Sequence, residues 1–487
     1  MLSTRRYPLR PLLSTTLAAV LLCATAVFAP AVPASASPVV ALAADDLFAT
    51  APAINPGTHN GTVSNTIDIF DRFAITLAQD QWVELRLTGP AGTDFDLRLY
   101  SDGVLDSEAG VPGAYPMSVF LVAESKAEAT SSEHVTHLVA PGGGGTYYVE
   151  IEAFGGSGAY TLTYTRTSPK AARLGGADRF ATSYAISRSS FTTAPAVVVA
   201  SGMEFADALS AAGLAGALDA PVLLAPPVKS IGDPMLRALI QEVSRLQASK
   251  VIVVGGSLAV NDLVYAQLRS AQFVTEVDRI GGQNRYQTSR MVAEETRKVA
   301  GGVANAFLVR GDDFADALAV APYAHNKGIP VLLTPSTALH SEARSFIENR
   351  DVLNVVVAGG TSAVSPAVVT ATSALNGGAT TVVRRSGVDR YATAAAVAVY
   401  CIDTKGWGSW SRFGIATGRN FPDALGGGAA CGIRNGGALL LTDPNSLSSA
   451  ASNLLQTKAP AGAKAVVFGG TGAVSATVMS QVTSRLP

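Results

Sequence analysis

Arginine and aspartate recur together three times in this chain of 487 residues, within stretches whose other residues also repeat. The arginines are Arg179, Arg285 and Arg390, and the aspartates are Asp207, Asp316 and Asp423. A guanidinium group suits bidentate contact with a phosphate or carboxylate, and lysine replaces it in none of the copies. Two interpretations follow: an internal arginine–aspartate pair, or direct contact of the arginine with an anionic ligand. Both hold if the pair orients an arginine at the rim of a site.

These arginines lie in the stretch that opens each copy. It reads RLGGADRFATSYA from Arg173, RIGGQNRYQTSRM from Arg279 and RRSGVDRYATAAA from Arg384, at intervals of 106 and 105 residues. The three opening arginines are therefore second candidates for contact with an anion. A further polar residue, Asp178, Asn284 or Asp389, precedes each predicted helix. Because Asn replaces Asp in one copy, we predict a helix N-cap, which needs a short acceptor rather than a charge.

Three further landmarks follow in the same order in every copy. They are an apolar strand leading to FADAL or FPDAL, a short apolar run such as PVLLAP, and a strand ending in Gly-Gly before a periodic helix. Continuous apolar strands alternating with helices predict a parallel sheet covered by helices, with ligands at the carboxyl ends of its strands. We therefore predict three tandem small α/β modules, over 173–278, 279–383 and 384–487.

Residues 44–168 predict an all-β sandwich. Apolar and polar residues alternate in DRFAITLAQDQWVELRL and in DFDLRLY, and a Gly-Ser-Gly turn separates two later strands. Asp94 and Asp96 are expected on the solvent face of their strand, with a calcium site as the alternative. His134 and His137 are expected in a surface loop.

The first 43 residues are typical of an export signal. Arg5, Arg6 and Arg10 precede an apolar run over 12–29, and small residues predict cleavage after Ala36 or Ala43. No later segment has the roughly 18 uninterrupted apolar residues of a membrane span, so we expect none in the mature chain. Removal of the signal leaves two cysteines, Cys401 and Cys431. An even pair of cysteines in an exported protein predicts a disulfide between them. Two buried thiols are the alternative.

Charge divides the chain into an acidic and a mildly basic part. Residues 44–172 carry 6 Lys and Arg against 16 Asp and Glu, whereas residues 173–487 carry 27 against 21. The basic excess favours an anionic partner with salt-sensitive binding, and it is too small to argue for nucleic acid. We find no dinucleotide, P-loop, zinc-protease or nucleophile-elbow motif, so we expect no cofactor, no metal and no catalytic residues.

The repeated part, from Arg173 to Pro487, resembles the cell wall-binding repeat 2 family, whose members usually carry three tandem copies. The resemblance implies three small α/β modules packed about a pseudo-threefold axis and non-covalent attachment to an anionic wall polysaccharide or teichoic-type polymer. Through DFDLRLY and GTYYV…GSGAYTL, the sandwich resembles the bacterial pre-peptidase C-terminal domain, an accessory module. That second resemblance implies no catalysis.

The sequence therefore predicts a secreted, non-catalytic protein of the cell wall or cell surface. It would be anchored by its repeats and would display the acidic sandwich, whose partner the sequence leaves unknown. The alternative is a secreted hydrolase or amidase that uses the repeats for wall targeting. An adhesin differs from the first prediction only in what the sandwich contacts.

Overall fold

The structure is a computed structural model that describes residues 48–66, 68–101, 121–127, 130–139, 143–433 and 436–487. The predicted export signal over 1–43 lies outside these residues. Among the described residues, no helix is long and apolar enough to cross a bilayer.

Two antiparallel four-stranded sheets form the N-terminal part, in the orders β1-β8-β3-β6 and β2-β7-β4-β5. The strands are β1 (Gly57–Ser64), β2 (Phe70–Leu77), β3 (Trp82–Thr88), β4 (Asp94–Ser101), β5 (Leu121–Ser125), β6 (Glu133–Leu138), β7 (Gly145–Gly155) and β8 (Ser157–Thr167). Alternate side chains such as Phe73, Leu85 and Leu97 enter one core shared by both sheets. The predicted β-sandwich is therefore present.

The outer face of β4 carries a buried cluster of charges. Arg98 lies 2.9 Å from Asp96 and 3.0 Å from Glu150, and Arg72 lies 2.7 Å from Glu150. The ring of Phe48, in a 3-10 turn over Phe48–Thr50, lies 4.1 Å from the Arg72 guanidinium and helps to cover this face. The expectation that Asp96 faces solvent is thus wrong, and its charge is balanced by arginine.

The repeated part contains twelve further strands and thirteen helices among the described residues. The strands are β9 (Ala171–Leu174), β10 (Ala196–Ser201), β11 (Val222–Ala225), β12 (Lys250–Val254), β13 (Glu276–Ile280), β14 (Asn305–Arg310), β15 (Val331–Thr334), β16 (Asn354–Ala358), β17 (Thr381–Arg385), β18 (Arg412–Thr417), β19 (Ala438–Thr442) and β20 (Lys464–Phe468). The helices are α1 (Arg179–Arg188), α2 (Phe205–Ala208), α3 (Ala211–Ala217), α4 (Pro234–Arg245), α5 (Asp262–Leu268), α6 (Arg285–Ala300), α7 (Ala315–Lys327), α8 (Ser341–Asn349), α9 (Pro366–Ser373), α10 (Arg390–Val399), α11 (Pro422–Gly432), α12 (Ser449–Lys458) and α13 (Ala476–Arg485).

Each repeat supplies three strands to one parallel sheet, and the fourth strand comes from another repeat. The orders are β11-β10-β12-β13, β15-β14-β16-β17 and β19-β18-β20-β9. The third sheet is completed by the first repeat, with Arg173 paired to Val467 in parallel register. The sheets therefore do not coincide with the sequence repeats, and strand exchange joins the third repeat back to the first.

Helices α3, α7 and α11, one from each repeat, pack against one another where the repeats meet. Glycine allows the close approach: a Cβ at Gly216 would lie 1.7 Å from the His325 carbonyl oxygen, and one at Gly432 would lie 2.5 Å from that of Pro322. The buried His325 ring donates to the Ala220 carbonyl oxygen of the first repeat at 3.1 Å. Repeat-to-repeat contact thus depends on small residues in these helices.

The sandwich packs on the first and third repeats. Leu138 of β6 belongs to the same apolar core as the repeats, and Lys464 donates to the carbonyl oxygens of Ser168 and Pro169 at 2.9 and 3.0 Å. His134 is exposed in β6 and lies 2.9 Å from Glu84. His137 is buried in the same strand. The expectation of a loop is therefore wrong for both histidines, and the expectation of surface exposure is wrong for His137.

Candidate functional site

The repeated opening stretch forms a strand, a turn and the start of a helix. Arg179, Arg285 and Arg390 are the first residues of α1, α6 and α10. Asp178 caps the first helix by accepting from Ala181 N at 2.8 Å. Asn284 and Asp389 occupy the equivalent N-cap positions. Asp and Asn are interchangeable here because the N-cap position needs a short hydrogen-bond acceptor and does not need a charge.

A recurring threonine, which the sequence analysis did not single out, fixes the glycine turn. The Gly176 backbone donates to Thr182 Oγ1 at 2.9 Å, and the same bond joins Gly282 to Thr288 and Gly387 to Thr393. All three threonines are buried. The signal was available, because Thr stands three residues after Arg179, Arg285 and Arg390 in the three copies.

Arg173, Arg279 and Arg384 lie on the strands exchanged between repeats, and their guanidinium groups bind backbone carbonyls. Arg173 donates to Gly469 O at 2.7 Å and Ser475 O at 3.2 Å, both in the third repeat. Arg384 donates to Gly359 O, Gly360 O and Val364 O at 2.6, 3.0 and 2.6 Å. Arg279 bonds similarly to Gly255 O and Val260 O.

The guanidinium groups of Arg173, Arg279 and Arg384 thus form hydrogen bonds within the fold. Burial lowers the pKa of Arg173 and of Arg384, and both nevertheless remain charged at neutral pH because arginine titrates far above it. These hydrogen bonds to the loops of a neighbouring sheet favour a structural role, and contact of Arg173, Arg279 and Arg384 with a polymer stays a prediction.

Arg179, Arg285 and Arg390 are half-exposed and join two repeats. Each donates from Nη1 to a glycine carbonyl of its own repeat, at 2.7, 2.7 and 2.6 Å for Gly202, Gly311 and Gly418. Each guanidinium also lies over a phenylalanine of another repeat: the third repeat for Arg179, the first for Arg285 and the second for Arg390. The distances to the ring centroids are 5.9 Å from Arg179 to Phe421, 5.7 Å from Arg285 to Phe205 and 5.6 Å from Arg390 to Phe314.

The three phenylalanines also contact one another. Ring centroids are 5.8 Å apart for Phe205 and Phe314, 5.8 Å for Phe205 and Phe421, and 6.2 Å for Phe314 and Phe421. One aromatic residue from each repeat therefore meets at a common centre, which is flanked by three arginines.

The FADAL aspartates lie beneath the Gly-Gly loops. A Cβ at Gly255, Gly359 or Gly469 would lie 3.0, 2.4 or 2.3 Å from the Oδ2 atom of Asp207, Asp316 or Asp423. Those glycines also have φ of +115°, +117° and +101°, which side chains rarely adopt. The close contact with this loop leaves little room for a longer carboxylate, which explains why Glu replaces none of these aspartates.

Burial raises the pKa of all three aspartates, that of Asp316 to about 6. An arginine of the following repeat opposes the shift in each case: Arg285 for Asp207, Arg390 for Asp316 and Arg179 for Asp423. No direct ion pair joins these arginines to these aspartates in the described part of the chain. The predicted internal pair is therefore replaced by a longer-range attraction between repeats.

A cleft of about 430 Å³ opens where the first and third repeats meet. Its polar lining includes Asp178, Arg179 and Thr182 from the first repeat and Thr417, Arg419, Asn420 and Asp423 from the third. The volume is within the range of small-molecule sites, and the lining offers both donors and acceptors. This cleft lies at the carboxyl ends of the strands, where the sequence predicted a ligand.

Cys401 and Cys431 are free thiols, so the predicted disulfide is absent. Cys401 lies in a π-helical turn over Tyr400–Thr404, and Cys431 lies in α11. Burial raises the pKa of Cys401 and raises that of Cys431 to about 12. The two side chains act as apolar packing residues rather than as a covalent link.

The described residues contain no group of three or more His, Cys, Asp or Glu side chains that could hold a metal ion.

The fold is therefore that of a protein built from three similar α/β repeats, in which each repeat completes the sheet of another and an arginine lies at each junction. The chain belongs to the cell wall binding domain 2 (CWB2) family, whose model matches residues 173–265, 279–369 and 384–479, more than half of the chain. Membership of this family assigns the protein to the cell wall and cell surface.

Two relatives from Bacillus subtilis (strain 168) share part of this sequence. The N-acetylmuramoyl-L-alanine amidase LytC is 32% identical over 310 residues, which are 64% of this chain and 57% of that protein. A protein named amidase enhancer is 32% identical over 167 residues, which are 34% of this chain and 22% of that protein. This chain therefore spans less than two thirds of the length of either relative.

Two solved structures from Clostridium difficile share the fold. Cwp8 aligns with a TM-score of 0.55 and 23% identity, over 65% of this chain and 52% of that protein. Cwp6 aligns with a TM-score of 0.57 and 20% identity, over 90% of this chain and 67% of that protein. At these identities the likeness concerns the fold.

Proposed function

We propose that this protein is a secreted, non-catalytic surface protein that its three repeats anchor to an anionic wall polymer. The observation that carries the proposal is the set of half-exposed arginines, Arg179, Arg285 and Arg390, held in equivalent positions at repeat junctions within a wall-binding family. Each uses one nitrogen to hold its own repeat, and a guanidinium group has further donors for a phosphate or carboxylate.

We further propose a pseudo-threefold arrangement of the repeats. Its support is the exchange of β13, β17 and β9 between sheets and the meeting of one phenylalanine from each repeat at the centre. Three equivalent junctions would let one repetitive polymer engage the protein at several points. Later contacts are then intramolecular, so avidity rises by roughly 10²–10⁴ without a new type of contact.

The acidic sandwich would be displayed at the surface as an accessory module similar to the pre-peptidase C-terminal domain. Its packing on the first and third repeats through Leu138 and Lys464 supports a fixed position relative to the anchor. Its partner is not assigned.

The second candidate function is a wall-targeted hydrolase or amidase, which the relationship to the LytC amidase favours. The two functions are separated by incubating the purified protein with isolated walls. An amidase releases new amino termini and clears the wall suspension, whereas a non-catalytic anchor sediments with the walls and leaves their turbidity unchanged.

Wall binding through the junction arginines is tested by co-sedimentation of the full protein and a variant with Arg179, Arg285 and Arg390 changed to Ala. We expect a loss of about tenfold or more in affinity. The control changes three exposed arginines away from the junctions, Arg237, Arg344 and Arg485, to Ala, which alters the net charge equally. Equal binding by both variants would contradict the proposal.

A further inference from the structure

The three junctions share a backbone design but differ in charge. Between the strand and the FADAL element, the first repeat has Met203 and Glu204, the second has Asp312 and Asp313, and the third has Arg419 and Asn420. The first two loops are therefore acidic, and the third loop is basic.

We infer that the anionic group of the wall polymer is held most tightly at one junction of the three, between the third and first repeats, by Arg179 together with Arg419. This inference rests on the proposed function and names the ligand group as a phosphate or carboxylate. The junction between the third and first repeats would thus be the strongest site, and the other two junctions would hold further anionic groups of the polymer more weakly.

The position of Arg419 supports the inference. Both Arg179 and Arg419 line the cleft of about 430 Å³, so an anion there meets two guanidinium groups from different repeats. Arg419 lies 3.0 Å from Asp443, but its side chain is 67% exposed, and an exposed pair of this kind contributes little to stability. A ligand oxygen can therefore replace Asp443 as its partner at small cost.

The corresponding residues at the other junctions oppose an anion. At the junction of the second and third repeats, Arg310 pairs with Asp312, and Arg390 lies 3.8 Å from Asp313. At the junction of the first and second repeats, Glu204 is exposed, and Met203 and Leu258 are apolar and exposed. Arg285 occupies the position equivalent to Arg179, but Met203 and Glu204 occupy the loop positions equivalent to Arg419 and Asn420, so that loop supplies no second guanidinium group.

The test measures binding of the full protein to two soluble polymers, poly(glycerol phosphate) and polygalacturonate, by isothermal titration at low salt. We expect Arg419→Asp to weaken binding of the preferred polymer at least tenfold. Arg237→Asp, at an exposed arginine away from the junctions, makes the same change of charge; it is the matched control and should change the affinity less than twofold. The polymer that binds more tightly identifies phosphate or carboxylate as the recognised group.

A gain-of-function variant provides the reciprocal test. Asp312→Arg with Asp313→Asn gives the second repeat the loop charges of the third and should strengthen binding several-fold. Equal losses for Arg419→Asp and Arg237→Asp, with no gain for the double variant, would overturn the inference while leaving anchoring intact. Failure of the unmodified protein to bind either polymer or walls would overturn the proposed function as well.

Discussion

Replacement of Arg173 tests how much the contact between the first and third repeats contributes to the stability of the protein. It lies on β9, the strand that the first repeat contributes to the third sheet, and donates to Gly469 O at 2.7 Å and Ser475 O at 3.2 Å. Arg173→Ala removes two charge-assisted hydrogen bonds. At about 1.5 kcal/mol each, the lower end of the range for charged donors, the loss is about 3 kcal/mol.

This loss translates into a measurable change in thermal stability. With an unfolding entropy of about 2.1 cal/mol/K per residue, the three-repeat part should unfold about 4–5 °C lower. Circular dichroism at 222 nm would follow the transition. Arg173→Lys should recover part of the stability, because an ammonium group keeps the charge but lacks the fork of donors.

Wall binding by the same variant separates a structural role from a ligand contact. We expect the folded Arg173→Ala protein to bind walls within about twofold of the unmodified protein at a temperature well below its transition. Unchanged stability together with a large loss of wall binding would refute the reasoning and return Arg173 to the set of polymer contacts.

Three further predictions concern buried groups. Burial raises the pKa of Asp316 to about 6, above its unfolded value, so its favourable contribution to stability is present at low pH and is lost as pH rises through 6. In urea unfolding, Asp316→Asn should be more stable than the unmodified protein at pH 7.5, by at most about 3 kcal/mol, and nearly equal to it at pH 4; the same difference at both pH values would contradict this. Burial and the charges of Arg245 and Arg188 lower the pKa of His137 to about 3, so its neutral form contributes stability above pH 6.5 that is lost on acidification. Between pH 7 and 4.5 the free energy of unfolding of the unmodified protein should fall by about 2–3 kcal/mol more than that of His137→Gln. Parallel dependences of the two unfolding free energies on pH would contradict this. Because Cys401 and Cys431 are free, dithiothreitol should shift Tm by less than about 1 °C, whereas loss of a disulfide would lower stability by about 3 kcal/mol. Mass spectrometry after alkylation of the unfolded protein, without reduction, should find both of these cysteines modified.

The local structure of each repeat could be predicted from sequence because the determining interactions are short-range. The interchange of Asp178, Asn284 and Asp389 indicates an N-cap, and apolar runs such as AVVVAS indicate strands covered on both faces. Both features follow from neighbouring residues along the chain.

Contacts between repeats could not be predicted in the same way. Since the three copies are similar, the sequence does not say whether Arg179 meets the phenylalanine of its own repeat or Phe421 of the third. The exchange of β9 into the third sheet is likewise invisible in a local pattern.

Burial of polar groups also depends on distant covering elements. Alternation correctly places Asp96 on the face of β4 opposite the core, but Phe48 and neighbouring tyrosines cover part of that face. His137 is buried because the sandwich packs on the first repeat, where Arg188 and Arg245 lower its pKa. Neither covering element could be identified from the strand itself.

The most direct test of anchoring compares binding of the full protein to isolated walls before and after acid extraction of their anionic polymers, over a series of salt concentrations. The account predicts saturable binding to intact walls that weakens with salt and is lost after extraction, because screening and removal of the anions both act on the arginine contacts. Equal binding to extracted walls, insensitive to salt, would contradict an anionic polymer as the ligand.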